Sequence, residues 1–381
     1  MVVDPSDRRE KIVNFELSED EEMLKALIER FVVDHYSQES RRAFLREPSG
    51  FSKRNWDLLG ELGLIAAPFP EDRGGLDLDA TGIATVFEAL GRGLVVEPLA
   101  ENVVFAGRLF ANTAPVALQN DWLDALITGR KRIAVAHAET GGRNGLVWIE
   151  TGAKDEGDVY RLTGTKPYCV AGGGVDGYIV SARLSGDPGE AEGVGLFFLS
   201  ADVEGLICRN WHLADGSVAA ALELEHAPAI RLDGGLDALS EAEQVAAIAR
   251  SAEALGIMER IFQETIEYLR TRDQFGAPLG SFQAIQHRMV AQYAAIERSR
   301  ALLNLALVSW GTEDFVRNVQ GVRAFIADAS LSLGHEMIQF HGGMGVTDEL
   351  VVGGGHKRLL VLSRWPEPPL VTLDRYAALM N

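Results

Sequence analysis

The stretch RTRDQFGAPLGSFQAIQHR, residues 270–288, joins two long helical patterns and decides how the C-terminal part of the chain folds. Upstream, residues 241–271 keep a 3.6-residue period with no proline. Downstream, 282–311 and then 313–341 do the same, and a shorter segment, 355–364, runs up to the proline cluster PEPP. Helices of this length joined by short loops predict an up-down bundle. Arg270, Arg272 and Arg288 gather around that first loop in a chain that is otherwise acidic. A guanidinium fork beside Phe275 and Gly276 suits a phosphate or pyrophosphate. Solvating arginines on a surface turn are the plainer alternative. Gln283 and Gln286, three apart on one helical face, add amide donors and acceptors.

Further upstream the period changes. Between about 130 and 235, short apolar or alternating runs are separated by turns: IAVAHAE at 133–139, 159–184, 194–211 and 220–232. No helix-length pattern lies between them, which predicts a middle β domain. Before it the chain is helical again. In residues 17–35, Ser18 and Glu21 form a capping box ahead of Met23, Leu24, Leu27, Ile28 and Phe31. Ser52 caps a second pattern that Gly63 stops, and 80–95 and 98–111 follow. GLIAAPFPEDRGGLDLD, 63–79, has two prolines and a double glycine and resists regular structure. The expected fold is α+β and multidomain: a helical domain at 1–130, a β-barrel-like domain at 131–236 and a four-helix bundle at 237–381.

Composition narrows the function. At 381 residues the chain exceeds what one core usually supports. A formal charge of −19 argues against nucleic acid and anionic membranes, although a local basic patch still accommodates a phosphate-bearing ligand. Two cysteines exclude a disulfide scaffold, and no apolar run reaches the length of a spanning helix. The first residues, MVVDPSDRREKI, resemble neither a signal nor a transit peptide, so a cytoplasmic protein is expected. No Rossmann fingerprint, phosphate loop, nucleophile elbow or zincin motif is present. No metal signature surrounds His137 and Glu139, and Cys169 reads as core.

Glycine is the notable excess, 40 residues in all. In IQFHGGMGVTDE, 338–349, Gly342, Gly343 and Gly345 allow close backbone approach to a ligand one helical turn beyond Gln339. A flexible helix corner explains them equally well. The runs in AHAETGGRNG, 136–145, and YCVAGGGVDG, 168–177, sit at strand ends, where binding loops concentrate. The run at 353–355 has no such explanation.

Together these segments resemble the acyl-CoA dehydrogenase family over nearly the whole chain. The most specific are Arg272-Asp-Gln-Phe-Gly276 with Phe282-Gln-Ala-Ile-Gln286, and Gln339-Phe-His-Gly-Gly-Met-Gly345. Residues 63–79 and LTGTKPYCVAGGGVDGYIV at 162–180 are weaker echoes. The resemblance implies FAD bound partly across a subunit interface. Arg272 matches the arginine that reaches the pyrophosphate of a neighbouring subunit's FAD, and Phe275 the aromatic near its adenine. Gln339, Gly342 and Gly343 match the diphosphate and ribose contacts, with Gln283 a more distant cofactor contact. Tyr168 stands where an aromatic packs on the isoalloxazine. Ala138 and Val170 replace two hydroxyl residues that usually bond the flavin, a departure that resembles the small-subunit type of bacterial member.

The implied reaction is α,β-dehydrogenation of an acyl-CoA thioester to a trans-2-enoyl-CoA, with a carboxylate removing the α-proton. That carboxylate needs hydrogen-bond reach and a pKa raised by an apolar pocket. Counting from Arg358 places Glu367 on the family's glutamate, but inside Trp365-Pro-Glu-Pro-Pro369 rather than Tyr-Glu-Gly-Thr. Glu243 and Glu253, on the first bundle helix, are the alternatives, although that second family position falls near Ala246. The resemblance implies a homotetramer, or a heterotetramer with a larger paralogous subunit, and an electron-transferring flavoprotein as acceptor. A non-catalytic subunit completing a partner's FAD site is the competing assignment, and an acyl-CoA or nitroalkane oxidase a third.

Overall fold

A computed structural model describes residues 17–141, 146–157, 159–347 and 349–380. The polar N-terminal residues 1–16 and the core of the 141–145 glycine cluster, residues 142–145, fall outside them.

The N-terminal helices start where the sequence caps them. Ser18 Oγ accepts from the Glu21 amide at 3.2 Å and Glu21 Oε2 accepts from the Ser18 amide at 2.8 Å, closing the capping box of α1 (Glu19–His35). A short α2 (Gln38–Phe44), not anticipated from periodicity, precedes α3 (Lys53–Glu61), capped by Ser52, and α4 (Ala80–Arg92), capped by Asp79. The expected helix at 98–111 is of two kinds. Ala100–Gly107 is π-helical and buried throughout, and it passes into α5 (Arg108–Thr113), which α6 (Val116–Ile127) follows. The wider π turn brings Glu101 and Asn102 inward together. Asn102 Nδ2 then donates to the Ile133 and Ala171 carbonyls at 2.9 and 3.2 Å, tying this domain to the sheet.

The middle domain is a closed barrel. β2 (Gly152–Asp155), β3 (Tyr160–Val170), β7 (Val218–Arg231), β5 (Val194–Ser200) and β4 (Gly177–Arg183) pair in a ring, while β1 (Ile133–Ala136) joins β4 and β6 (Leu206–His212) joins β7. Strand β2 is half exposed and carries no apolar alternation, so the sequence did not signal it. The β3–β7 register shifts between Lys166 and Cys169, where Pro167 has no amide to donate.

The bundle contains α7 (Leu236–Thr271), α8 (Gln283–Val308), α9 (Phe315–His341) and α10 (Val351–Arg364). The unexplained glycines lie inside α10, which starts earlier than periodicity indicates. A Cβ at Gly353 would meet the Thr347 carbonyl, at Gly354 the Arg41 guanidinium and at Gly355 the Ile261 side chain, all within 2.8 Å. The run is therefore a packing requirement on three sides of one helix. The proline cluster does not end the fold: Pro369 opens α11 (Pro369–Ala378), where a missing amide costs nothing.

One buried carboxylate of the N-terminal domain gives this fold a pH dependence. Glu97 accepts from the Tyr36 hydroxyl, and burial raises its pKa to about 7. From the ordinary 4.5 up to about 7, the unfolded chain ionises while the folded one holds its proton, so stability falls as pH rises. The full loss above pH 7 is about 3 kcal/mol. Glu97→Gln keeps an acceptor for Tyr36 and removes that loss. Thermal melts should show the variant more stable than wild type at pH 8, with the gap closing towards pH 4.5. A gap independent of pH would show that Glu97 does not titrate in this range.

Candidate functional site

The residues that the sequence singles out fall into three places. At the barrel mouth, Ala138 and Tyr168 form an isolated antiparallel bridge, and Val170 and Ala171 lie beside them. Tyr168 stands between two indoles, Trp211 at 6.1 Å and Trp365 at 5.1 Å edge-on. Trp365, which sequence reasoning noted only as a neighbour of Glu367, packs on Ala138, Tyr168 and Val170 and is 8% exposed. Its indole nitrogen is buried without a hydrogen-bond partner among the described residues. Arg323 holds the segment in place, donating to the Trp365 and Glu367 carbonyls at 2.9 and 3.2 Å.

Beneath this face lies a polar group that the sequence did not reveal. Lys166 is fully buried and donates to Glu139 Oε1, Ser181 Oγ and the His137 carbonyl at 2.5, 3.1 and 3.1 Å. His137 Nδ1 lies 2.8 Å from Ser181 Oγ. Burial, with the Lys166 and Arg375 charges, pushes the His137 pKa down to about 3, so the ring stays neutral. Burial also lowers Lys166 to about 8 against the opposing pull of Glu139. Among the described residues, no three His, Cys, Asp or Glu side chains converge as metal ligands.

The three candidate glutamates are all buried and all engaged by arginines. Glu367 contacts Arg375 at 2.9 Å, Thr372 at 3.2 Å and Arg323 at 3.7 Å. Glu243 accepts from Arg250 at 2.6 Å, and Arg250 also forks onto Glu101 of the π-helix at 2.7 and 2.8 Å. Burial raises the Glu243 pKa against the pull of Arg250 and Arg323. Burial alone would lower Arg250, but Glu101 and Glu243 reverse this and hold it above its usual range. Glu253 takes a two-pronged contact from Arg358, at 2.6 and 3.0 Å, and Arg358 also reaches Asp215 at 3.1 Å. Each of the three thus lies against an arginine, and removing either partner of such a buried pair is costly.

The third place is the far end of the bundle. Tyr268 stacks on His341 at 4.3 Å, and Arg288 pairs with Glu336 at 2.7 Å while lying over Phe340. These contacts bring together the end of α7, the start of α8 and the end of α9. Arg272, Phe275, Gln283, Gln339, Gly342 and Gly343 are thereby gathered on one surface. The Arg272 guanidinium has no partner among the described residues. Phe275 takes a left-handed backbone, φ 56°, directly before Gly276 at 83°, as a tight hairpin turn requires. That turn leaves the Phe275 ring 92% exposed. A Cβ at Gly342 or Gly343 would meet nothing within 4 Å. From Arg323, which anchors Trp365, to Gln339 the α9 backbone rises about 24 Å. The open end and the barrel mouth are thus separate surfaces of one chain.

Family models match both helical parts of the chain. The N-terminal domain of acyl-CoA dehydrogenase matches residues 18–130 and its C-terminal domain residues 233–365. The chain is similar to "Acyl-CoA dehydrogenase FadE27" of Mycobacterium tuberculosis, 28% identical over 88% of this chain and 90% of that one. Among solved structures it resembles the ChsE4-ChsE5 complex from Mycobacterium tuberculosis, with TM-score 0.86 and 26% identity over 97% of this chain and 99% of that one. It also resembles a variant of the Tcur3481-Tcur3483 steroid ACAD, with TM-score 0.86 and 28% identity over 95% of this chain and 98% of that one. With the three-part architecture these matches settle the family: the chain belongs to the acyl-CoA dehydrogenases, oxidoreductases that introduce a double bond into acyl-CoA thioesters.

Proposed function

We propose that this chain is one subunit of a heteromeric FAD-dependent acyl-CoA dehydrogenase, and that its open bundle end completes the FAD site of a larger paralogous partner. The observation that carries this is Trp365, seated on Tyr168, Ala138 and Val170 where the family resemblance puts the isoalloxazine. The residues fit one half of FAD and not the other. Arg272, unpaired among the described residues, offers a charged fork to a pyrophosphate, Phe275 an exposed ring to adenine, and Gly342 and Gly343 an unobstructed backbone. The barrel mouth, by contrast, is filled by the chain's own indole.

Two of the similar structures carry paired chain names, ChsE4-ChsE5 and Tcur3481-Tcur3483, which supports a two-chain assembly here. When bound, FAD supplies the hydride acceptor for acyl-CoA oxidation. In this chain Arg272 orients the diphosphate, Gln339 and Gln283 offer amides nearby, and Phe275 keeps water from the adenine. An electron-transferring flavoprotein as acceptor and a cytoplasmic setting complete the proposal. The free thiols of Cys169 and Cys208 agree with a reducing compartment.

A homomeric enzyme using Glu367 as base is the alternative, favoured by the burial of Glu367 two residues beyond Trp365. Purification with and without the co-expressed partner separates the two. Stoichiometric FAD and bleaching by acyl-CoAs in the chain alone would overturn the subunit assignment. In the complex, Arg272→Ala should weaken FAD binding by about ten- to a hundred-fold, the value of a charge-assisted hydrogen bond. Unchanged retention would remove Arg272 from the site. Glu367→Gln should lower the melting temperature, because Arg375 and Arg323 lose their counter-charge, yet leave bleaching by acyl-CoAs intact. Loss of bleaching with unchanged stability would instead assign Glu367 as the base.

A further inference from the structure

Inside the bundle, between α7, α9 and α10, lies a small cavity of about 20 Å³. Two arginines and three serines line it, Arg250, Arg323, Ser251, Ser330 and Ser363, and aliphatic side chains complete the wall. None of the five is more than 6% exposed. A space of that size admits one water or one monatomic ion. It shares no residue with the surface assigned to FAD and is independent of the subunit assignment.

The wall is rich in donors and in positive charge. Ser330 and Ser363 direct their hydroxyl hydrogens at the Ala327 and Leu360 carbonyls of their own helices, at 3.2 and 2.9 Å. Ser251 Oγ has no partner among the described residues. Arg323 donates through one terminal nitrogen to two neutral oxygens, the Trp365 and Glu367 carbonyls. The carboxylate it faces, Glu367 at 3.7 Å, is held more closely by Arg375 at 2.9 Å. The Nε and the other terminal nitrogen of Arg323 have no hydrogen-bond acceptor among the described residues. Burial, with repulsion from Arg250 and Arg375, lowers the Arg323 pKa to about 10 against the pull of Glu243 and Glu367. Formal charge across the whole group balances only while Glu243 is ionised, and burial works against that by raising the Glu243 pKa. A water would accept from these donors without adding charge. A monatomic anion accepts from all of them and also offsets the repulsion between the two arginines.

We propose that this cavity is an anion site that binds one halide ion, with chloride as its ordinary occupant, Ser251 Oγ and the Arg323 guanidinium as its donors and Arg250 as the second positive charge. Size excludes sulfate, phosphate and carboxylates. The bound ion fixes Arg323, and through the Trp365 and Glu367 carbonyls it steadies the segment that closes the barrel mouth.

Bromide is the probe, because it shares the chemistry of chloride and scatters X-rays anomalously. The purified full-length chain, dialysed into isethionate, is melted while bromide replaces isethionate at constant ionic strength. The melting temperature should rise along a saturating one-site curve, as for any ligand that binds the folded state alone. Sulfate should not reproduce the rise. Crystals grown in bromide should show one anomalous peak per chain between Ser251, Arg323 and Ser363. Ser251→Ala should raise the bromide midpoint about ten-fold, the worth of a hydrogen bond to a charged group. Glu243→Gln keeps an acceptor for Arg250 and removes an opposing charge, so it should lower the midpoint about five-fold. Lost packing cannot produce that gain. A cavity that holds water alone would give no peak and no saturating rise, and either result would overturn the proposal. So would a rise that sulfate reproduces, or a midpoint unchanged in either variant once circular dichroism shows it folded.

Discussion

The guanidinium of Arg250 is the constraint on which the assembly of the chain depends. It is buried in the middle of α7, forked onto Glu101 of the π-helix and bonded to Glu243 two turns before it on its own helix. Arg323 of α9 extends the group toward Glu367, and Arg375 of α11 closes it. Three arginines and three glutamates thus balance at the junction of the N-terminal domain, the bundle and the C-terminal strap. Such a network adds modest net stability, since six charges must be desolvated, but breaking any one member costs about 3–5 kcal/mol. Its effect is to admit only the arrangement in which every charge is met.

That arrangement has a chemical consequence. Glu243, Glu253 and Glu367 are each held against an arginine. The same network, through Arg323 and the Trp365 carbonyl, holds an indole on Tyr168. At the other end of the bundle the economy is reversed. Arg272 is unpaired among the described residues, Phe275 stands in solvent on a strained turn, and two glycines face open space. Groups left unsatisfied within a chain in this way are what a partner or cofactor satisfies. One end of the molecule is closed by its own side chains, and the other presents an exposed ring and open glycine backbone.

Much of the architecture was legible because it rests on local physics. Ser18 and Glu21 mark the start of α1 through bonds three residues apart, and the period of 241–271 marks α7 through its own buried face. The elements missed carry weak local signals: β2 is half exposed, α2 is two turns long, and α11 starts at a proline that ordinarily ends a helix. The glycines of α10 read as a loop because the reason for them, the approach of Thr347, Arg41 and Ile261, lies elsewhere in the chain.

By itself, then, the sequence determined the three-block order and the family, since each follows from short-range pattern or motif. Only the tertiary structure decided the state of the candidate site. Whether Glu367 is a free base or half of an ion pair depends on Arg323 and Arg375, and whether Tyr168 faces a flavin or an indole depends on where α10 delivers Trp365. These are contacts between α9, α10, α11 and the barrel. Charge pairing and burial at that range leave no periodicity for a sequence to display.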